Sequence, residues 1–189
     1  MAFSPRSPLR RLALALGLGL TLSAGGAAAQ NLDPENTLIM TLEGGEVTIA
    51  MRPDLAPDHV ERIKTLTREK FYDGVVFHRV IDGFMAQTGD PTGTGTGGSS
   101  YPDLKAEFSD APHVRGTVSM ARTPDPNSAN SQFFIVFDRA PHLNGQYTVW
   151  GEVVDGMALI DDLKKGAPGS GMVRDPDQIV TLRVMADVQ

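Results

Sequence analysis

The strongest constraint on this chain is an apolar period of two. Leu38, Met40 and Leu42 fall on alternate positions, Gly44-Gly45 sits between Glu43 and Glu46, and Val47, Ile49 and Met51 resume the alternation. Successive strand side chains point to opposite faces, so the pattern spells a hairpin with one buried face. Strand-like runs at 75–80, 84–88, 116–121, 131–137, 147–153 and 178–185 bring the expected total to eight. Two helices interrupt them. Pro57 opens the first, whose stripe is Val60, Ile63 and Leu66 and which ends near Tyr72-Asp73-Gly74. The second spans 156 to about 165, with Met157, Ile160 and Leu163 on one face and lysines near its end, where the helix dipole favours them. Strands without regular helical crossovers predict an antiparallel barrel or sandwich rather than a doubly wound sheet. The glycine-rich stretch 90–102 reads as a surface loop, and no repeat or change of composition divides the chain.

The absence of cysteine excludes disulfides, thiol nucleophiles and cysteine-based metal sites. A net charge of −6 gives no basic surface for nucleic acid. The first residues stand apart: Arg6, Arg10 and Arg11 make a basic start, 12–22 is apolar, and Ala27-Ala28-Ala29 offers small residues for cleavage. This predicts an export signal over 1–29 and a mature domain over 30–189. The apolar run is shorter than the roughly 20 residues of a membrane span, so no stable membrane insertion is expected after cleavage, and a form tethered by an uncleaved signal is the less favoured alternative. The general secretion route is favoured over the twin-arginine route, because little besides Arg10-Arg11 resembles a twin-arginine motif.

Several motifs carry little. Gly93, Gly95 and Gly98 match a dinucleotide-binding spacing, but Ser99-Ser100-Tyr101-Pro102 follows where a helix should open. His59, His78, His113 and His142 lack metal-ligand spacing. Ser119 and Ser131 lie in strand-like runs with no nucleophile elbow, leaving spatial proximity to a histidine open. Arg79 is different, because it interrupts the apolar run Phe77-His78-Arg79-Val80-Ile81. If it shares a face with Phe77 it is not a solvated-face charge. Two readings stay open: a structural arginine held by a carboxylate such as Glu107 or Asp90, or a functional group. Phe133 is expected in the core, Met85 and Met120 fit packing equally well, and Gln87 and Gln132 on apolar strands need partners or a ligand.

The segments around Arg79 and 83–90, with Gly116-Thr117-Val118-Ser119-Met120-Ala121 and Asn130-Ser131-Gln132-Phe133-Phe134-Ile135, resemble the cyclophilin family of peptidyl-prolyl cis-trans isomerases, in its bacterial exported branch. The resemblance runs from about Thr37 to Met185. It implies a mainly β fold, a closed eight-stranded antiparallel barrel capped by two helices. It also implies catalytic roles for Arg79, Phe84 and Gln87, and substrate contacts from Met85, Ala121, Arg122, Gln132, Phe134, His142, Leu143 and Tyr147. Phe84, Met85, Phe134 and Leu143 would line a proline pocket, with Ala121 and Arg122 offering main-chain groups. No metal, cofactor or covalent intermediate is implied. The partners would be X-Pro segments of unfolded or partly folded exported proteins, met in the periplasm by a monomer. The chain departs from the common pattern at His142, where many members have tryptophan, at Tyr147, where many have histidine, and at Arg122, where many have asparagine. A proline-peptide binding module or holdase using the same pocket is the alternative, and a carbohydrate- or ligand-binding barrel a third class.

Export predicts cleavage between Ala29 and Gln30. Mass spectrometry of protein recovered from the extracytoplasmic fraction should find a chain beginning at Gln30, and an intact Met1 or a cytoplasmic location would count against it.

Overall fold

A computed structural model of the chain describes residues 1–2 and 32–188. Apart from residues 1–2, the expected export signal and its cleavage point lie outside the described residues. The strands are β1 (Thr37–Leu42), β2 (Gly45–Met51), β3 (Arg79–Ile81), β4 (Met85–Thr88), β5 (Thr117–Met120), β6 (Phe133–Val136), β7 (Val149–Asp155) and β8 (Thr181–Val184). The helices are α1 (Pro57–Arg68) and α2 (Met157–Asp161). All eight strands join one antiparallel sheet in the order β3-β4-β6-β5-β7-β2-β1-β8.

The sheet curls but does not close, which corrects the expectation of a closed barrel. Between the edge strands β3 and β8 runs 166–180, which contains Pro168 and Pro176 and three glycines and so cannot sustain a ladder. It crosses the gap with single links. Val80 N donates to Gly171 O at 2.7 Å, Gly166 N to Val80 O at 2.9 Å and Val173 N to His78 O at 3.0 Å, with an isolated bridge between Val76 and Gln178.

Several strands are shorter than their apolar runs, among them 75–80, where the ladder begins only at Arg79. Phe77 precedes the ladder and turns into the core, whereas Arg79 takes the opposite face, so the two do not share one. α2 stops at Asp161, short of its lysines, because Asp177 Oδ2 takes the Lys164 N–H at 2.7 Å and draws it out of the helical ladder. Lys165 still bonds the Asp161 and Leu163 carbonyls from beyond the end. α1 ends at Arg68, ahead of the expected Tyr72-Asp73-Gly74, as Lys70 adopts φ 58°.

The inner face of the curled sheet is packed with Trp150, Tyr72, Phe77 and Phe133, each at most 1% exposed. Phe133 meets Tyr72 and Trp150 edge-on, with ring centroids 5.6 and 5.4 Å away. Burying such side chains stabilises the fold by roughly 1.5–3 kcal/mol each. α1 covers this core with His59, Val60, Ile63, Leu66 and Thr67. Its N-cap residue, Ala56, has no side-chain donor or acceptor, and Glu107 supplies the cap from 48 residues away, accepting from the His59 N–H at 3.1 Å and meeting His59 Nδ1 at 2.6 Å. At the other end Arg68 pairs with both Glu35 and Asp187, tying the beginning and the end of the folded unit to α1.

Burial pushes the pKa of His59, His78 and His113 below the ordinary histidine value. Above about pH 6.5 each is neutral both folded and unfolded. Below it the unfolded chain takes up protons that the folded chain refuses, so stability falls as pH drops toward the lowered folded values. The slope is about 1.4 kcal/mol per pH unit for each histidine and about 4 for the three together at most. The paired Asp73 and Asp161, held low by Arg183 and Arg115, contribute only in a more acidic range. The urea midpoint should therefore drop between pH 7.5 and 5.5, and a flat profile there would show that these rings ionise without penalty.

Candidate active site

Strand register builds the site. Arg79 pairs with Gln87, Gln87 with Phe134, and Phe134 with Ser119, one row across β3, β4, β6 and β5. Ile81, Met85 and Val136 form a second row on the same face. The residues between them, Val80, Ala86, Ile135 and Val118, point inward and belong to the main core. A period of two thus gives one sheet two apolar faces. On the outer one Met85, Phe134, Val136, Ala140 and Leu143 form a separate cluster, with Phe84, Ala121 and Tyr147 packed against it.

This cluster floors a cavity of about 330 Å³ lined by Arg79, Phe84, Met85, Gln87, Ala121, Arg122, Phe134, His142, Leu143 and Tyr147. Every residue to which the family resemblance gives a catalytic or substrate-contact role, except Gln132, lies on its wall. Gln132 lines an adjoining cavity of about 500 Å³, which shares Gln87, Ala121 and Arg122 and extends under the glycine-rich loop. A third cavity of about 670 Å³, between Leu42, α2 and 175–180, is larger. Its lysine, Lys164, is already paired with Asp175 and Asp177, and no residue expected to act in catalysis or substrate contact lines it.

Arg79 is held by neutral acceptors. Its Nε donates to Ser170 O at 3.0 Å and its Nη1 to Gln87 Oε1 at 3.3 Å. Glu107 and Asp90, the carboxylates considered for it, are engaged elsewhere, Glu107 on α1 and Asp90 in its own loop. Gln87 Nε2 passes the chain to Gln132 Oε1 at 2.9 Å, and Gln132 Nε2 donates to Gly95 O at 3.1 Å and Gly97 O at 2.8 Å. The glycine-rich loop is thus an organised wall. Its centre is Asp90, which is 1% exposed and accepts from the backbone N–H groups of Thr92, Thr94, Gly95 and Gly97. Burial opposes ionisation of this carboxyl, but the Thr92 hydroxyl and the loop N–H groups outweigh it and bring its pKa to about 2.

The opposite rim is also fixed. Arg122 donates from Nε and Nη2 to Gln146 O at 3.1 and 2.8 Å and from Nη1 to Thr123 O at 2.9 Å, while its guanidinium lies 4.6 Å from the Tyr147 ring centre. His142 is exposed, and its ring lies over Phe84 at 5.4 Å. Sequence reasoning missed Ser170, because a backbone carbonyl leaves no residue signature. It also missed Asn144, and it named His113 and Ser119 without pairing them, because their spacing follows no motif.

The Ser170 contact depends on Gly171. It sits at φ +72°, and a Cβ there would lie 2.4 Å from Ile81 Cγ1 and 3.3 Å from Arg79 Cγ. Gly171→Ala should displace the loop, lowering the melting temperature and freeing the Arg79 Nε–H. In ¹⁵N NMR that proton should then exchange with water faster than in the parent, and an unchanged rate would mean that the carbonyl does not hold it.

Comparison with known proteins agrees with this geometry. Residues 37–184 match the family described as cyclophilin type peptidyl-prolyl cis-trans isomerase/CLD. A probable peptidyl-prolyl cis-trans isomerase of Brucella suis is 54% identical over 192 residues, covering 95% of this chain and 98% of the relative. The human peptidyl-prolyl cis-trans isomerase-like 3 is 44% identical over 125 residues, covering 64% of this chain and 77% of its own. Among solved structures, the cyclophilin AquaCyp293 of Hirschia baltica superposes with a TM-score of 0.75 at 29% identity, covering 84% of this chain and 77% of that one. A cyclophilin type isomerase of Cryptosporidium parvum, solved in the presence of the dipeptide Ala-Pro, gives 0.72 at 28% identity and covers 78% and 98%. With its family pattern matched from the first strand of the sheet to the last, the chain belongs to the cyclophilin-type peptidyl-prolyl cis-trans isomerases.

Proposed function

We propose that the 330 Å³ cavity binds the proline of X-Pro segments in exported proteins and that Arg79 promotes rotation of the preceding peptide bond. The observation that carries this is the row Arg79–Gln87–Phe134, which sets a guanidinium at the rim of an apolar pocket with neutral partners. That the Cryptosporidium protein was crystallised in the presence of Ala-Pro supports the substrate class. Setting in the periplasm rests on the basic and apolar N-terminal sequence.

Amide resonance opposes rotation with a barrier of about 18–20 kcal/mol. When the bond twists, the proline nitrogen turns pyramidal and its lone pair becomes an acceptor. A guanidinium has five N–H donors. Ser170 and Gln87 fix two of those on Arg79, aiming the group while Nη2, which has no partner among the described residues, is left for that nitrogen. The bond exists only in the twisted state, so it favours the transition state over the bound ground state. A charge-assisted hydrogen bond contributes about 1.5–3 kcal/mol, whereas a 10⁵-fold acceleration needs about 7 kcal/mol. The rest falls to anchoring. Phe84, Met85, Phe134 and Leu143 grip the ring and exclude water, Tyr147 and His142 close the sides, and Gln87 with the Ala121 and Arg122 main chain holds the preceding residues so that one end alone rotates. Gln132 acts through Gln87 and the loop, since its oxygen is taken by Gln87 and its Nε2 makes two bonds to loop carbonyls, whereas Gln87 Nε2 makes one and keeps a second N–H. The Arg122 side chain braces Tyr147 and the carbonyls at the pocket mouth.

Arg79→Ala should lower the cis-trans exchange rate of a bound X-Pro peptide by about 10- to 100-fold while changing its affinity little. Phe134→Ala should weaken affinity and turnover together. NMR exchange and titration on variants shown to be folded by circular dichroism decide the matter. A folded Arg79→Ala protein with near-normal exchange would falsify the catalytic role of the arginine.

A further inference from the structure

Beneath the pocket lies a polar chain, buried at His113 and Ser119 and reaching the surface at Asn144, that the mechanism above does not use. His113 and Ser119 are both 0% exposed. Ser119 Oγ is 2.9 Å from His113 Nε2, and Asn144 Oδ1 is 3.2 Å from His113 Nδ1. The same Oδ1 accepts from the His113 backbone N–H at 2.8 Å, which fixes it as the oxygen of the amide. Nδ1 facing an oxygen must carry the ring proton, and Nε2 is left to accept from the Ser119 hydroxyl. One tautomer satisfies every atom.

Serine, histidine and asparagine in this order resemble a nucleophilic triad, but no substrate reaches a serine with no exposed surface. The ring has another task. It stacks on Phe134 at 6.3 Å and 18° and meets Tyr147 edge-on at 6.5 Å, while Phe134 and Tyr147 themselves touch at 5.6 Å. Through Ser119 it is bonded to the sheet, and through Asn144 to the segment that carries His142 and Tyr147. It therefore joins the floor of the pocket to one wall.

We propose that His113, fixed as one tautomer between Asn144 and Ser119, is a positioning residue that holds Phe134 against Tyr147, so that X-Pro binding weakens when its ring takes up a second proton. This rests on the X-Pro reading of the cavity. A proton on Nε2 would set a donor against the Ser119 hydroxyl, which would have to turn its own proton away into a dry interior. The titratable groups facing the ring are the Tyr147 phenol and the His142 imidazole, and a charge on His142 opposes one on His113. The sheet side offers only Ser119 and Phe134. Arg115, two residues along, is turned to Asp161 and Phe137 O.

The test is the KM and kcat of cis-trans exchange on one X-Pro peptide between pH 8 and 5, together with the ¹⁵N titration of the His113 ring. KM should rise about fivefold on acidification, the factor one lost hydrogen bond is worth, with kcat changed much less and the midpoint matching that of the ring. Ser119→Ala removes the bond that favours neutral Nε2, so both midpoints should move upward together. His113→Phe keeps a stacking ring without a proton to gain, and the step should vanish. Neither variant alters His142, so a step that persists in His113→Phe assigns the effect there and overturns the proposal. Normal turnover with a pH-independent KM overturns the positioning role alone, whereas no turnover at any pH removes the X-Pro reading and this proposal with it.

Discussion

Everything at the site depends on the pairing register of β3, β4, β6 and β5. Because the side-chain period of a strand is two, a slip of one residue would turn Val80, Ala86 and Ile135 to the outer face and drive Arg79, Gln87 and Phe134 into the core. The inner residues prevent this. Phe133 is wedged between Tyr72 and Trp150, and the Tyr72 hydroxyl donates to Ser131 O at 3.0 Å, pinning the start of β6. The packing that stabilises the molecule and the alignment that builds its cavity are thus one constraint read from two sides of a sheet.

From that row the polar groups spread by hydrogen bonds to neutral acceptors: Arg79 to Ser170 and to Gln87, Gln87 to Gln132, and Gln132 to a loop gathered around Asp90. Neutrality has an electrostatic effect. A carboxylate beside Arg79 would orient it equally well but would cancel the field it can apply to a developing lone pair. The buried negative charge of Asp90 is instead satisfied by loop N–H groups and the Thr92 hydroxyl, separated from the guanidinium by Gln87, Gln132 and the loop backbone.

Much of this was legible in the sequence, and the losses have physical causes. The alternation of Leu38, Met40 and Leu42 and of Val47, Ile49 and Met51 marked the hairpin, because those residues have one dry face. The runs at 75–80 and 131–137 marked strands but overstated them, since Phe77 and Phe137 are buried by coil that packs as tightly as a ladder. Family resemblance located the cavity residues, whereas periodicity alone left Arg79 undecided. What decided its surroundings was where Glu107 and Asp90 go, and both are occupied by backbone N–H groups that carry no sequence signal. Sheet closure failed as an expectation for a similar reason: prolines and glycines in 166–180 replace a ladder with isolated bonds.

The strand order has a consequence for how the molecule assembles. β1 lies between β2 and β8, and Thr41 meets Thr181 across 140 positions of sequence. A chain made from its N-terminus can zip β1 to β2 at once, but the other edge of β1 stays bare until the last strand has been synthesised. Arg68 waits likewise, able to reach Glu35 early and Asp187 only at the end. Closing so long a loop is slow, and an unpaired edge is adhesive in the interval. Folding is therefore a late, whole-chain event, and truncating the last few residues would cost far more than their small share of the contacts suggests.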